Sequence, residues 1–245
     1  MAEFAGKGAL PPLGFIAIDL DIRRPPGDPY NERTWPFPLI REMADGSRVS
    51  QVVTSNKYDS AFIDRFAEAG LRLAARGCVG IITSCGFLAM AQAELASKLP
   101  VPIATSSLAQ LPSVIALLPP TKTVGVLTYD ETLLGPRHLA SFVPEASLSR
   151  TVICGVPAGG HLRNMIEKGA PYIHADIEAE LVATARGLVE SRPEIGALVL
   201  ECTNMPPFSE AIYNALGGKI PVYDAFTMGK WFYSGLVRDT PSTWT

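Results

Sequence analysis

Eight short runs rich in Val and Ile punctuate the chain, and they set the strongest limit on its fold. They are GFIAID (14–19), VSQVVT (49–54), VGIITS (79–84), VPIATS (101–106), TVGVLTY (123–129), RTVICGV (150–156), GALVLE (196–201) and IPVYDAF (220–226). Many lack the polar alternation of a half-exposed strand, which is how parallel strands covered on both faces read. Amphipathic stretches lie between several of them, at 58–76, 87–98, 107–118, 131–142 and 174–191. In the first of these, Phe62, Phe66, Ala69 and Leu73 recur at three- and four-residue steps, while Asp64, Arg65, Glu68 and Arg72 take the other faces. Gly77 supplies the stop. Strands alternating with helices predict an α/β fold with parallel sheets flanked by helices.

The chain also repeats itself. LGFIAID lies over TVGVLTYD, with Gly14 on Gly125 and Asp19 on Asp130. CVGIITSC lies over IGALVLEC, with Cys85 on Cys202, and KLPVPIAT lies over KIPVYDAF, with Pro100 on Pro221. Such a repeat predicts two pseudosymmetric lobes. Ligands in open α/β sheets bind beyond the carboxyl ends of strands. Cys85 and Cys202 stand at two such ends, so they are expected to face each other across an interlobe cleft holding the active site.

A thiol works as base or nucleophile only when ionised, and helix N-termini favour the thiolate. Cys85-Gly86 precedes the helical FLAMAQAELASKL, and Cys202-Thr203-Asn204 precedes MPPFSEAIYNAL. Two opposed thiols suit proton removal from one face of a carbon and proton return on the other, which inverts a stereocentre without a cofactor. The alternative for any buried cysteine is simple packing, and that is the reading for Cys78 and Cys154. Ser84, Gly86, Thr203 and Asn204, with nearby backbone N–H groups, are candidates to hold a substrate carboxylate. Asp19 is a candidate for a substrate ammonium, Thr105 and Ser106 for carboxylate contacts or helix capping, and Tyr129 for the cleft wall. Glu201 is left out, since strand alternation turns it away from the face of Cys202. Arg23, Arg24 and Asp28 lie in a Pro-Gly loop expected to run near the cleft, as surface charge or as a second carboxylate site.

Other classes find little support. The charge of −3 and pI of about 5.7 give no nucleic-acid footprint. No run approaches the roughly 18 apolar residues of a membrane helix, and no secretory signal is read in residues 1–12, which look like a lead-in. The four cysteines and three histidines have no metal-ligand spacing, so no metal and no cofactor are expected. GVPAGGHLRN (155–164) lacks a phosphate-loop ending and reads as a connection after a strand. A cytoplasmic location is expected.

TSCGFLA and LECTNMPP, with the first strand GFIAID and the 117-residue step between the cysteines, resemble the aspartate/glutamate racemase superfamily over residues 13 to 237. That group includes amino-acid and hydantoin racemases, maleate isomerase, arylmalonate decarboxylase and a dimethylsulfoniopropionate lyase-like branch. The resemblance implies Cys85 and Cys202 as the catalytic pair. It also implies a first lobe of 13–106 plus 208–245, a second lobe of 107–207, and a homodimer. The chain lacks the DSGxGG, CNT and GCTH segments of glutamate racemases, and its PPGDPYNERTW loop is more similar to the lyase-like branch. The resulting expectation is a cofactor-independent racemase or epimerase, an isomerase, acting on a small carboxylate-bearing compound. A lyase expelling a β-leaving group and a non-catalytic ligand-binding protein are the alternatives.

Overall fold

The protein is described from a computed structural model, which covers residues 10–238. Two four-stranded parallel sheets form its centre. The first holds β1 (Leu13–Ala17), β2 (Leu39–Met43), β3 (Ile81–Thr83) and β4 (Ile103–Ala104), in the order β2-β1-β3-β4. The second holds β5 (Thr123–Thr128), β6 (Thr151–Gly155), β7 (Ile195–Leu200) and β8 (Val222–Tyr223), in the order β6-β5-β7-β8. The two orders are the same, so the two-lobed α/β architecture read from the sequence stands. Gly14 in β1 packs beneath Leu73, and its counterpart Gly125 in β5 packs beneath Leu188.

The helices are α1 (Val49–Val52), α2 (Ser60–Ala75), α3 (Gln92–Lys98), α4 (Leu111–Leu117), α5 (Pro136–Leu139), α6 (Glu145–Leu148), α7 (His161–Lys168), α8 (His174–Ser191), α9 (Ser209–Ala215) and α10 (Ala225–Leu236). The sequence pattern is clearest in α2. Asp59 caps it by accepting from the Phe62 N–H at 2.7 Å, and Phe62, Ile63, Phe66 and Leu73 are buried along one stripe. Gly77, in the left-handed region at φ 80°, ends the segment.

The structure differs from the sequence reading in five places. VSQVVT is a helix, not a strand. Val49, Val52 and Val53 share one face at helical spacing, and the Gln51 side chain reaches back to accept from the Arg48 N–H. The strand of that region is instead LIREM, β2, whose sheet partner is β1 and whose residues are only partly covered. An edge strand of this kind never acquires a continuous apolar run. Of 131–142 only Pro136–Leu139 is helical, since Asp130 turns the chain by accepting from the Thr132 N–H. GVPAGGHLRN runs into helix α7 at His161, where Glu180 of α8 accepts from the first backbone N–H groups. Finally, the segment from 208 does not pass as a whole to the first lobe. Val222–Tyr223 pairs with β7, and the return to the first lobe is made by α10. Residues 239–245 of that segment, and 1–9 of the lead-in, lie outside the described residues. Among the described residues, no helix is long and apolar enough to cross a membrane.

One continuous apolar core runs through both lobes. A smaller cluster covers the other face of the first sheet, where Leu13, Phe15 and Ala17 of β1 meet Trp35, Phe37, Met228 and Tyr233. Trp35 stacks on Phe37 at 5.3 Å between ring centroids, and Phe37 stacks on Tyr233 at 3.7 Å. The Trp35 indole N–H also donates to the Pro29 carbonyl at 2.8 Å. Truncation of Trp35 to Ala removes the largest fully buried side chain among the described residues. It is expected to cost about 3–5 kcal/mol, read as a lower urea midpoint at unchanged slope.

Candidate active site

The two cysteine turns meet at the centre of the molecule. β3 ends at Thr83, and Ser84-Cys85 leads into a 3-10 turn over Gly86–Ala91. β7 ends at Leu200, and Glu201-Cys202-Thr203-Asn204 leads into a 3-10 turn over Pro206–Phe208. They are tied across the lobes by the Thr203 hydroxyl, which donates to the Ser84 carbonyl, and the Ser107 hydroxyl, after β4, donates to the Leu200 carbonyl. Ser84 Oγ also accepts from the Ile18 N–H at 2.9 Å, which fixes the end of β1.

Both thiols open onto one small chamber between the two cysteine turns. Ser84, Cys85, Gly86, Tyr129, Cys202, Thr203 and Asn204, all singled out from the sequence, line it. Ile18 and Leu20 from the end of β1, Val49 and Val53 from α1 and its end, and Ile166 from α7 supply apolar walls with Phe87. Asp19 is exposed and lines an outer cavity at the mouth, together with its repeat partner Asp130. There Asp130 pairs with Arg163 at 3.1 Å, and Glu167 accepts from Arg163 and from the Tyr129 hydroxyl. Thr105 and Ser106 do not line the chamber. Thr105 is bonded through its N–H and hydroxyl to the Gln92 amide oxygen, and Ser106 caps the following turn by accepting from the Leu108 N–H. Cys78 and Cys154 also lie apart from it, and burial pushes the Cys78 thiol up to about 11. Among the described residues no cluster of His, Cys, Asp and Glu could hold a metal ion.

The Pro-Gly loop reaches the site. Gly27 sits at φ 101°, and a Cβ there would meet the Pro207 backbone at 2.8 Å, so only glycine lets the loop lie on the second cysteine turn. Buried Asp28 accepts from the Asn204 amide at 3.0 Å and pairs with Arg24 at 3.3 Å. Burial raises Asp28, and the Arg24 charge opposes that rise. Arg24 and Asp28 are thus functional candidates that the sequence placed near the cleft without deciding their role.

The electrostatics correct one expectation. The Phe87 and Asn204 backbone N–H groups do favour the thiolates of Cys85 and Cys202, as turns at helix starts should. Burial in the apolar chamber outweighs them, and Glu201 adds to the rise, so both thiols lie well above the usual range. The segments after the cysteines are short 3-10 turns, which offer little dipole against that desolvation.

Glu201 is the residue that sequence reasoning missed. Strand alternation excluded it, yet it lines the chamber with both thiols and packs under the opposite lobe's turn. A Cβ on Gly86 would come within 2.5 Å of the Glu201 carbonyl and would overlap its Oε1. Glu201 Oε2 accepts from the Thr128 hydroxyl at 2.7 Å, while buried Oε1 has no partner. Burial first, against the Thr128 and Tyr129 donors, raises this carboxyl to about 7.

No family model matches the chain. It is 29% identical over 233 residues to a dimethylsulfoniopropionate lyase of Durusdinium sp. clade D, covering 94% of this chain and 76% of that one. It is 28% identical to dimethylsulfoniopropionate lyase 5 of Emiliania huxleyi (strain CCMP1516), covering 92% of this chain but only 45% of that longer protein. Among solved structures, unliganded arylmalonate decarboxylase superposes with a TM-score of 0.61 at 17% identity, covering 94% of each chain. Glutamate racemase from Francisella tularensis subsp. tularensis SCHU S4, in complex with D-glutamate, superposes with a TM-score of 0.53 at 19% identity, over 94% of this chain and 84% of that one. The resemblance to the aspartate/glutamate racemase superfamily, with its dimethylsulfoniopropionate lyase-like branch, is borne out.

A carboxyl raised from 4.5 to about 7 binds its proton more tightly in the folded chain than in the unfolded one. Its contribution is therefore most favourable below pH 4.5 and is lost as pH rises through 7. The Glu201→Gln protein should gain about 3 kcal/mol relative to the parent between those pH values, measured as the difference in urea unfolding free energy at each pH.

Proposed function

We propose that the protein is a cofactor-independent lyase, acting on a small carboxylate that bears a cationic β-leaving group such as a sulfonium. The observation that carries this reading is the pair of thiols in an apolar chamber whose burial holds both above the usual range. A substrate that brings its own positive charge would offset that penalty and favour a thiolate beside it. A sulfonium has no N–H donors that apolar walls would leave unpaired, whereas an ammonium has three. Similarity to dimethylsulfoniopropionate lyases over more than nine-tenths of the chain supports the same class.

In this mechanism the thiolate of Cys85, the less buried of the two thiols, takes the proton from the carbon next to the carboxylate. That C–H pair forms the new C=C bond as the C–S bond breaks. Its electrons leave on sulfur, giving a neutral sulfide and an unsaturated acid. Cys202 holds its proton, consistent with the contact of its Sγ with the Asn204 side-chain oxygen at 3.8 Å. Gly86 and Thr203, which line the chamber, are the groups assigned to the substrate carboxylate.

A racemase remains the second reading, because the repeat puts one thiol on each lobe. The two are separated by proton NMR in buffered D₂O with dimethylsulfoniopropionate and, separately, chiral amino acids. The expected result is vinyl signals from the sulfonium substrate, reduced about a hundredfold or more in Cys85→Ser. Exchange of the α-proton of an amino acid with inversion, and no vinyl signals, would select the racemase.

A further inference from the structure

The repeat makes Glu201 unusual. Its counterpart in the first lobe, by the same step that relates the cysteines, is Ser84. Ser84 Oγ accepts from the N–H of Ile18, at the end of β1. The Glu201 carboxyl meets the N–H of Tyr129, at the end of β5, and Ile18 and Tyr129 are themselves repeat partners. In the first lobe a neutral hydroxyl ties down the strand end. The second lobe performs the same task with an ionisable group, buried to 1% exposure, although burying such a group is costly. Bracing alone therefore does not account for the carboxyl. Its Oε2 is occupied by Thr128, but Oε1 has no hydrogen-bond partner and lies beneath Gly86, the residue after Cys85, whose thiol feels the Glu201 charge.

We propose that Glu201 is a positioning residue that takes up the thiol proton when Cys85 ionises, so that this pair carries one negative charge which sits on either group. The S–H bond breaks with both electrons left on sulfur, an O–H bond forms at Oε1, and the total charge is unchanged. The chamber then forms a thiolate without adding net charge to an apolar site. The inference rests on Cys85 acting as the base.

The groups facing this pair come from several elements. Cys202 follows Glu201 on the same turn. Tyr58, whose hydroxyl donates to the Val52 and Phe87 carbonyls, is raised by burial and further by Cys85 and Glu201. Arg24 and Asp28 act from the Pro-Gly loop, Arg24 favouring both thiolates and Asp28 opposing that of Cys202. Tyr129 lies on the far wall with its hydroxyl committed to Glu167. Burial raises both carboxyls here, Asp28 and Glu201, but Asp28 is bonded to Arg24 and Asn204, while Glu201 keeps one oxygen without a partner.

A coupled pair loses its protons in two shared steps. The test follows the rate of iodoacetamide alkylation at Cys85 against pH, resolved by peptide mass spectrometry, in the parent and in Glu201→Gln. It needs no substrate, so it succeeds or fails independently of the lyase assay. The parent is expected to show a lower step near pH 7 and a second at alkaline pH. Glu201→Gln should lose the lower step and alkylate at least roughly tenfold more slowly at pH 7.5. Thr128→Val, which keeps the carboxyl but removes its donor, should move the lower step to higher pH. Faster or unchanged alkylation in Glu201→Gln would overturn the proposal, since a fixed repelling charge or a purely structural brace gives that result. A lower step unmoved in Thr128→Val would also overturn it.

Discussion

Everything around the chamber depends on the bond from the Thr203 hydroxyl to the Ser84 carbonyl, which joins one cysteine turn to the other. Each turn ends a buried parallel strand, and its N–H groups are bonded within its own lobe, as Ser84 is to Ile16 and Glu201 to Leu127. The Ser84 carbonyl is reached from the other lobe. Asn204 does the same for Asp28 in the Pro-Gly loop, and the Ser107 hydroxyl holds the Leu200 carbonyl from the segment after β4. The polar groups that would be costly if buried alone are satisfied by the other lobe. Because the lobes share one apolar core, the chamber is held as part of a single packed body.

Within that frame the repeat is broken by charge. The backbone keeps its twofold resemblance through both sheets, but Ser84 and Glu201 are not alike, and only the second cysteine turn is covered by the Arg24–Asp28 loop. Two thiols that are equivalent by fold thus have different neighbours. Equivalent thiols suit a reaction that runs the same way from either face. Unequal ones suit a reaction with a fixed direction, in which one group removes a proton and the other keeps its own.

The sequence showed the architecture well where burial is two-sided. β1, β3, β5 and β7 each read as unbroken apolar runs because helices cover both faces, and the Gly14–Gly125 and Cys85–Cys202 correspondences exposed the repeat. It failed where one pattern serves two structures. VSQVVT satisfies a strand and one helical turn equally, and the helix won because Val49, Val52 and Val53 all face inward. LIREM escaped notice because a sheet edge tolerates Arg41 and Glu42. Seven of the ten site residues read from the sequence do line the chamber. Glu201 was lost to a local rule: alternation within one strand set it aside, but it cannot foresee that the other lobe's Gly86 packs against that carboxyl and brings it into the chamber wall.

The last helix has a consequence for how the molecule is made. The outer face of the first sheet, with Leu13, Phe15, Trp35 and Phe37, is covered by Met228 and Tyr233 of α10. These partners lie nearly the whole described chain apart. Synthesis delivers the N-terminal residues first, so during translation this aromatic surface emerges long before its cover. The second lobe has its own four strands by residue 223, yet the first stays open on one side until the helix after it has been made. The nascent chain thus carries a sticky, half-built sheet through most of its elongation, a stage at which chaperone binding or slow translation would matter more than in the finished enzyme.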